Sequence, residues 1–219
     1  MATTRWDEID GIIAEHKDHL KAAETHHVLK DFADEHGLMN KSDFGKFKHL
    51  LKKIGINYND LRDKTFAADD ARRAEELDNL GDDAACLTLW SAAIDHDDEG
   101  AFAIVDGGHE AVWYGKFFDD DRHYTAGDLV SAEQSVAHKT VWIASKALAA
   151  AGEDTGRLTL VTTCPHLDTD ALAADGARLG VAVDVEVNDT DERAVTMAET
   201  PGFKSWKDTD LSTLVESDD

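Results

Sequence analysis

The chain has 219 residues, with 22 Lys and Arg against 46 Asp and Glu and a formal net charge of −24. An apolar share of 42% supports a real core and excludes global disorder, and the length suits one large domain or two small ones. No apolar run approaches the roughly eighteen residues of a membrane-spanning helix, and the start Met1-Ala-Thr-Thr-Arg-Trp-Asp7 is not a leader, so a cytoplasmic protein without a membrane partner is expected. Cys86 and Cys164 form no CxxC or CxxH pattern and read as reduced, buried thiols.

Residues 5–79 read as helices, and 1–80 as a helical domain. Trp6, Ile9, Ile12, Ile13 and Leu20 mark a first apolar stripe with Thr4 as its N-cap. A second helix runs from His26 to Glu35 and stops at Gly37; the pair His26-His27 reads as helix surface. Ser42 then caps Asp43 to Lys53, with Phe44, Phe47, Leu50, Leu51 and Ile54 on its apolar face and Gly55 at its end. A further helix opens at Asn59 or Asp60 and runs to about Leu80.

Within this half, Phe32 to Gly55 resembles a DNA-binding helix-turn-helix over some twenty-five residues: two amphipathic helices, a Gly-containing turn and a basic second helix. Between Leu38 and Lys64 seven basic residues stand against three acidic ones. The whole of residues 1–80 carries 13 basic and 17 acidic residues, and the rest of the chain 9 and 29. Lys41, Lys46, Lys48, Lys52 and Lys53 are the candidate contacts to a DNA or RNA backbone, since lysines on phosphates displace condensed counterions. The plain alternative is a solvated face of a helical bundle. The acidity elsewhere resembles that of proteins from salt-in halophiles, which hold water and cations at high salt. In such a chain acidity does not argue against a nucleic-acid partner.

Gly81-Asp-Asp-Ala-Ala85 is the expected boundary. Beyond it, residues 85–206 read as an α/β domain. Cys86 to Asp95, Ala101 to Val105 and Glu110 to Phe118 form a meander through the turns His96-Asp-Asp-Glu-Gly100 and Gly107-Gly108. A loop Asp119-Asp-Asp-Arg-His123 follows, and then a long helix capped by Ser131. Arg157 to Thr163 is a fourth strand, with Cys164 at its end; Thr169 to Leu179 is a helix ended by Gly180; Val181 to Val187 is a fifth strand; Asp191 to Ala198 is a last helix. Residues 207–219 read as an acidic, fraying tail.

The order strand, strand, strand, helix, strand, helix, strand, helix resembles the ribonuclease H-like fold, a mixed sheet. Ile94-Asp95, Gly100 and Val105-Asp106 are similar to the opening of its resolvase-like members, Ser131-Ala-Glu133 to the helix-borne Glu of ribonucleases H, and Asp191-Glu-Arg193 to their closing Asn-Glu-Arg segment. The resemblance implies a two-metal phosphodiesterase site in which carboxylates hold Mg²⁺ or Mn²⁺. Asp95 and Glu133 would be metal ligands and Asp189 or Asp191 the closing one, giving Asp95, Glu133 and Asp191 as catalytic candidates and Asp95, Glu133 and Asp189 as the metal set. The sequence departs from the family where it places an Asp after the fourth strand: Val161-Thr-Thr-Cys164 has no carboxylate. On the alternative alignment of the first strand Ser91 replaces an Asp, and Val195 stands where an Asp follows Asn-Glu-Arg-Ala. Each candidate also has a structural reading: Asp95 opens a turn, Glu133 favours a helix N-terminus, and Asp189 with Glu192 has capping-box spacing.

The expected function is therefore nucleic-acid binding by a basic helical module joined to an inactive ribonuclease H-like domain, with no cofactor. The alternatives are a Mg²⁺- or Mn²⁺-dependent nuclease or resolvase and a non-enzymatic protein-interaction scaffold. No P-loop, GxGxxG or GxSxG motif is present, and no acidic or His-containing loop has zinc spacing.

Overall fold

A computed structural model describes residues 4–81, 83–96, 99–118 and 120–216. The expected turn at Asp97-Asp98 lies outside these residues, as does Asp119. The chain divides into two compact units, Met1–Ala71 and Arg72–Asp219.

The first unit holds α1 (Arg5–Glu15), α2 (Lys17–Lys21), α3 (His26–Glu35), α4 (Lys41–Lys53) and the start of α5 (Tyr58–Asp78). Thr4 caps α1 in a capping box with Asp7, and the first stripe breaks at His16 into two helices. Gly37 and Gly55 take positive φ after α3 and α4, where a side chain would strain the backbone. Ile9, Ile13, Leu29, Phe32, Phe47 and Leu51 meet in the core. Two expectations are corrected. Asn40, not Ser42, caps α4: its side chain accepts from the Asp43 amide and donates to the Asp43 carboxylate. His26 is not surface: at 5% exposure its imidazole packs against Tyr58 and Phe66, and its amide donates to Thr65 Oγ1.

The units part within α5, upstream of Gly81–Ala85. Its last residues go with the second unit, where Leu77 is buried and shares a cavity wall with Leu158 and Ala177.

The second unit is α/β. Its five strands, β1 (Cys86–His96), β2 (Glu99–Val105), β3 (Ala111–Lys116), β4 (Gly156–Thr162) and β5 (Val181–Val187), lie in the order β3-β2-β1-β4-β5. β1, β2 and β3 are antiparallel neighbours; β4 and β5 run parallel to β1. α6 (Leu129–Ala151) and α7 (Thr169–Leu179) cover one face, while α8 (Arg193–Ala198) packs against the other. Alternation along β1 decides which residue goes where: Leu87, Leu89 and Ala93 enter the α6 core, whereas Trp90, Ala92 and Ile94 join the α8 cluster. Ser91 and Asp95 therefore share the α6 face.

Four expectations for this unit are corrected. α6 is capped by Asp128, whose carboxylate accepts from the Val130 and Ser131 amides; the Ser131 hydroxyl donates instead to the Thr125 and Asp128 carbonyls. α8 begins at Arg193, with no side-chain cap from Asp189, because Asn188 and Asp191 turn the chain first. Cys164 lies two residues past β4. As far as residue 216 the tail does not fray: Ser205 and Asp210 cap two short 3₁₀ turns, Trp206–Asp208 and Leu211–Leu214, and the second turn buries Leu211 and Leu214 in the α6 core. Alternating polar residues hid that apolar pair in the sequence.

Candidate functional site

Parallel pairing of β1 with β4 ends at Ser91 opposite Thr162, so beyond this point the two strands part. A gap at the carboxyl ends of parallel strands is where α/β folds bind ligands. α6 delivers Glu133 into it, buried to 5% exposure, with its carboxyl accepting from the Ala93 amide. Burial in this apolar surrounding disfavours the charged form and pushes the carboxyl up to about 7. Oε2 of Glu133 and Oγ of Ser91, itself 1% exposed, are both buried without a hydrogen-bond partner. Cys164 follows two residues past β4, its thiol pushed up by burial.

Asp95 and Asp191 have partners of their own, although Asp95, on the same face of β1 as Ser91, also keeps its Oδ1 buried without one. Asp95 Oδ2 accepts from the Gly127 amide at 2.8 Å, which ties β1 to the loop before α6. Asp191 receives the Arg193 guanidinium at 2.8 Å, and this hydrogen bond holds its carboxyl below the usual range. Arg193 in turn lies 4.0 Å from the centre of the Trp90 ring, a residue of the α8 face. Asp191 is thus neutralised beside the face opposite to Ser91.

Two-metal chemistry requires three or four carboxylates converging on ions about 3.5–4 Å apart. Among the described residues, Asp95, Glu133, Asp189 and Asp191 supply no three ligand atoms within 4.8 Å of one another; the set that does is His123, His138 and Asp175. Carboxylates that do not converge, one of them paired with Arg193, fit a pair of divalent cations poorly.

The basic candidates lie on α4. Lys46 is engaged by Asp43 at 3.0 Å, and Asp43 also holds Arg5, so this lysine is part of the unit's framework. Lys48 sits over the Phe44 and Tyr58 rings. Lys48, His49 and Lys52 line a cleft of about 240 Å³ together with Gly45 and with Asn57, Tyr58 and Asn59 at the start of α5. Lys41 and Lys53 form no ion pair among the described residues.

Sequence reasoning missed the cluster of His123, His138 and Asp175. His138 on α6 and Asp175 on α7 are far apart in sequence, and only packing of the two helices brings His138 Nδ1 to 2.7 Å from Asp175. Comparison with family models, with curated proteins and with solved structures found no match to the chain.

Proposed function

We propose that the chain binds nucleic acid through the basic face of α4, and that its α/β unit is a ribonuclease H-like domain without two-metal catalysis, working in a salt-rich cytoplasm. The observation that carries the binding half is the cleft where Lys48, His49 and Lys52 face the start of α5. Amides at a helix start carry positive partial charge and add to that of the lysines, which is the chemistry a phosphate needs. The resemblance of Phe32–Gly55 to a helix-turn-helix supports the same assignment.

The order β3-β2-β1-β4-β5, with a long helix between β3 and β4, supports the ribonuclease H-like reading. The loss of catalysis is supported by Ser91, Glu133 and Thr162, one carboxyl among three polar side chains where the strands part.

The test is binding of duplex DNA, single-stranded DNA and RNA over a range of KCl concentrations, for wild type and for Lys48→Gln with Lys52→Gln. Each lost phosphate contact should lower the slope of log K against log salt by about 0.9 on duplex DNA or about 0.7 on single strands. No binding to any of them, or an unchanged slope, removes the α4 assignment and leaves the scaffold alternative. For the nuclease alternative the measurement is Mn²⁺-dependent cleavage of hybrid, single-stranded and branched substrates. Wild type and Glu133→Gln should be equally inactive, and cleavage lost in the variant would restore a catalytic site.

A further inference from the structure

A second site lies within the α/β unit. Trp113, Trp142 and Trp206 wall a cavity of about 340 Å³ whose polar side holds Arg122, His123, His138 and Asp175. That volume falls in the range, roughly 300–1,000 Å³, of small-molecule sites, which pair apolar walls with a few polar groups. Three of the chain's five tryptophans meet here: Trp142 stands edge-on to Trp206 at 5.0 Å and 6.3 Å from Trp113. The apolar fill of a core could use aliphatic residues; large flat rings lining a cavity suit another flat ring. Lys139, Lys146 and Lys207 stand over the Trp113, Trp142 and Trp206 rings at 5.0, 5.4 and 5.6 Å, which adds positive charge to the surroundings.

His138 narrows the ligand class. Its Nε2 meets the Gln134 amide at 3.1 Å, and its Nδ1, buried and without a well-aligned hydrogen bond, lies 2.7 Å from the Asp175 carboxylate, so the ring is positioned from both sides. Its open face already carries a heteroaromatic ring, the exposed His123 imidazole, at 4.0 Å and 13° between planes. His123 reaches that place from a loop, on a backbone with φ of 65° that a side chain other than Gly, Asn, Asp or His rarely adopts. The pair shows that this face of His138 accepts a stacked ring, and the exposed His123 is the ring a ligand would replace.

The same geometry argues against a metal ion, although the ligand atoms of His123, His138 and Asp175 lie within 4.8 Å of one another. A metal about 2.0–2.1 Å from a ring nitrogen lies close to that ring's plane, and two face-stacked planes share no such point. Charge supplies the rest. Lys139 is taken by Asp121, and Asp175 by Arg178 as well as His138. The adjacent Arg122 guanidinium has no acidic partner among the described residues.

We infer that this cavity binds a planar heteroaromatic ring bearing an anionic arm, a nucleoside monophosphate being the fitting class: the base stacks on His138 and against the tryptophans, and Arg122 meets the phosphate. The inference is independent of polymer binding by α4, and each can fail without the other.

Titration of the full chain with AMP, GMP, CMP and UMP, with adenosine, with inorganic phosphate and with Zn²⁺, read by tryptophan fluorescence and calorimetry, tests it. Saturable binding of at least one monophosphate is expected, with its nucleoside weaker and phosphate alone not bound. Trp142→Leu and His138→Ala should each weaken the monophosphate about tenfold or more, as loss of a stacking partner does. Arg122→Gln should weaken the monophosphate but leave the nucleoside unchanged; because Arg122 is exposed, this variant carries the test if the other two misfold. A short single-stranded oligonucleotide that binds unchanged in Trp142→Leu separates this cavity from α4. No saturable monophosphate binding, binding indifferent to all three variants, phosphate competing as well as AMP, or a site that takes Zn²⁺ and no nucleotide would each overturn the inference.

Discussion

Replacing Glu133 by Gln tests the central burial argument directly. The carboxyl is pushed from 4.5 up to about 7 by burial, so between those values the folded chain binds a proton that the unfolded chain has released. Stability from this group is therefore fully present below pH 4.5 and is lost as pH rises through 7. A shift of this size corresponds to about 3 kcal/mol between the two limits, at 1.36 kcal/mol per pKa unit. Gln keeps the shape and the acceptor for the Ala93 amide but carries no proton equilibrium. Other groups, among them His138, whose imidazole is pushed down by burial, also titrate in this window. The informative quantity is thus the difference between variant and wild type. Urea unfolding at pH 4, 5, 6, 7 and 8 in constant KCl, followed by tryptophan fluorescence, should show the variant gaining on wild type by about 3 kcal/mol from pH 4 to 8. A pH-independent difference, or one of opposite sign, would show that Glu133 is solvated or paired and would refute the reading of the gap between β1 and β4.

Leu211→Ala should cost about 2–4 kcal/mol, within the range for a leucine truncated in a core, and calorimetry of the full chain would detect it; an unchanged melting temperature would mean the tail is not packed. Gly176→Ala should destabilise by about 1–3 kcal/mol, because the added carbon would stand 2.4 Å from the Val181 carbonyl oxygen on β5, and chemical denaturation measures the loss. Asp43, held at about 2 chiefly by hydrogen bonds from Asn40 and Lys46, contributes stability that is present above pH 3.8 and lost as pH falls toward 2. Asp43→Asn should remove that part of the acid limb, and acid titrations of both proteins superimposing below pH 4 would contradict it.

Local signals explain which parts of this architecture were readable in advance. Period-two alternation in Cys86–Asp95 and Ala101–Val105, the glycines that stop α3, α4 and α7, and the long apolar stripe of α6 each act over a few residues. They foretold the strands and helices and the α/β class. Caps were harder, since Asn40 and Ser42, or Asp128 and Ser131, are equally good acceptors and only tertiary geometry chooses between them. The candidate site was legible at Glu133, whose place on the long helix was visible, but not in its state. Its neutral tendency comes from burial in the core, which outweighs the opposing hydrogen bond from the Ala93 amide, and sequence spacing does not reveal either. The aromatic cavity was least legible, because Trp113, Trp142 and Trp206 come from a strand, a helix and a tail thought to fray.

The two proposed sites respond differently to salt. Binding through lysines draws on counterion release, and its affinity falls steeply as salt rises. In molar KCl the Debye length is about 3 Å, so the α4 cleft gains little from long-range attraction and must act at contact. Stacking of a base on tryptophan or imidazole faces is far less sensitive to ions, being carried by apolar and dispersion terms. The net charge of −24 sharpens the contrast, because an approaching phosphate meets a predominantly negative surface unless salt screens it. Salt should therefore weaken polymer binding at Lys48 and Lys52 more steeply than nucleotide binding at Trp142, where only the single Arg122–phosphate contact is screened. Paired titrations at about 0.2 M and 2 M KCl measure both. Equal salt slopes at the two sites would mean that they are not the chemically distinct surfaces described here.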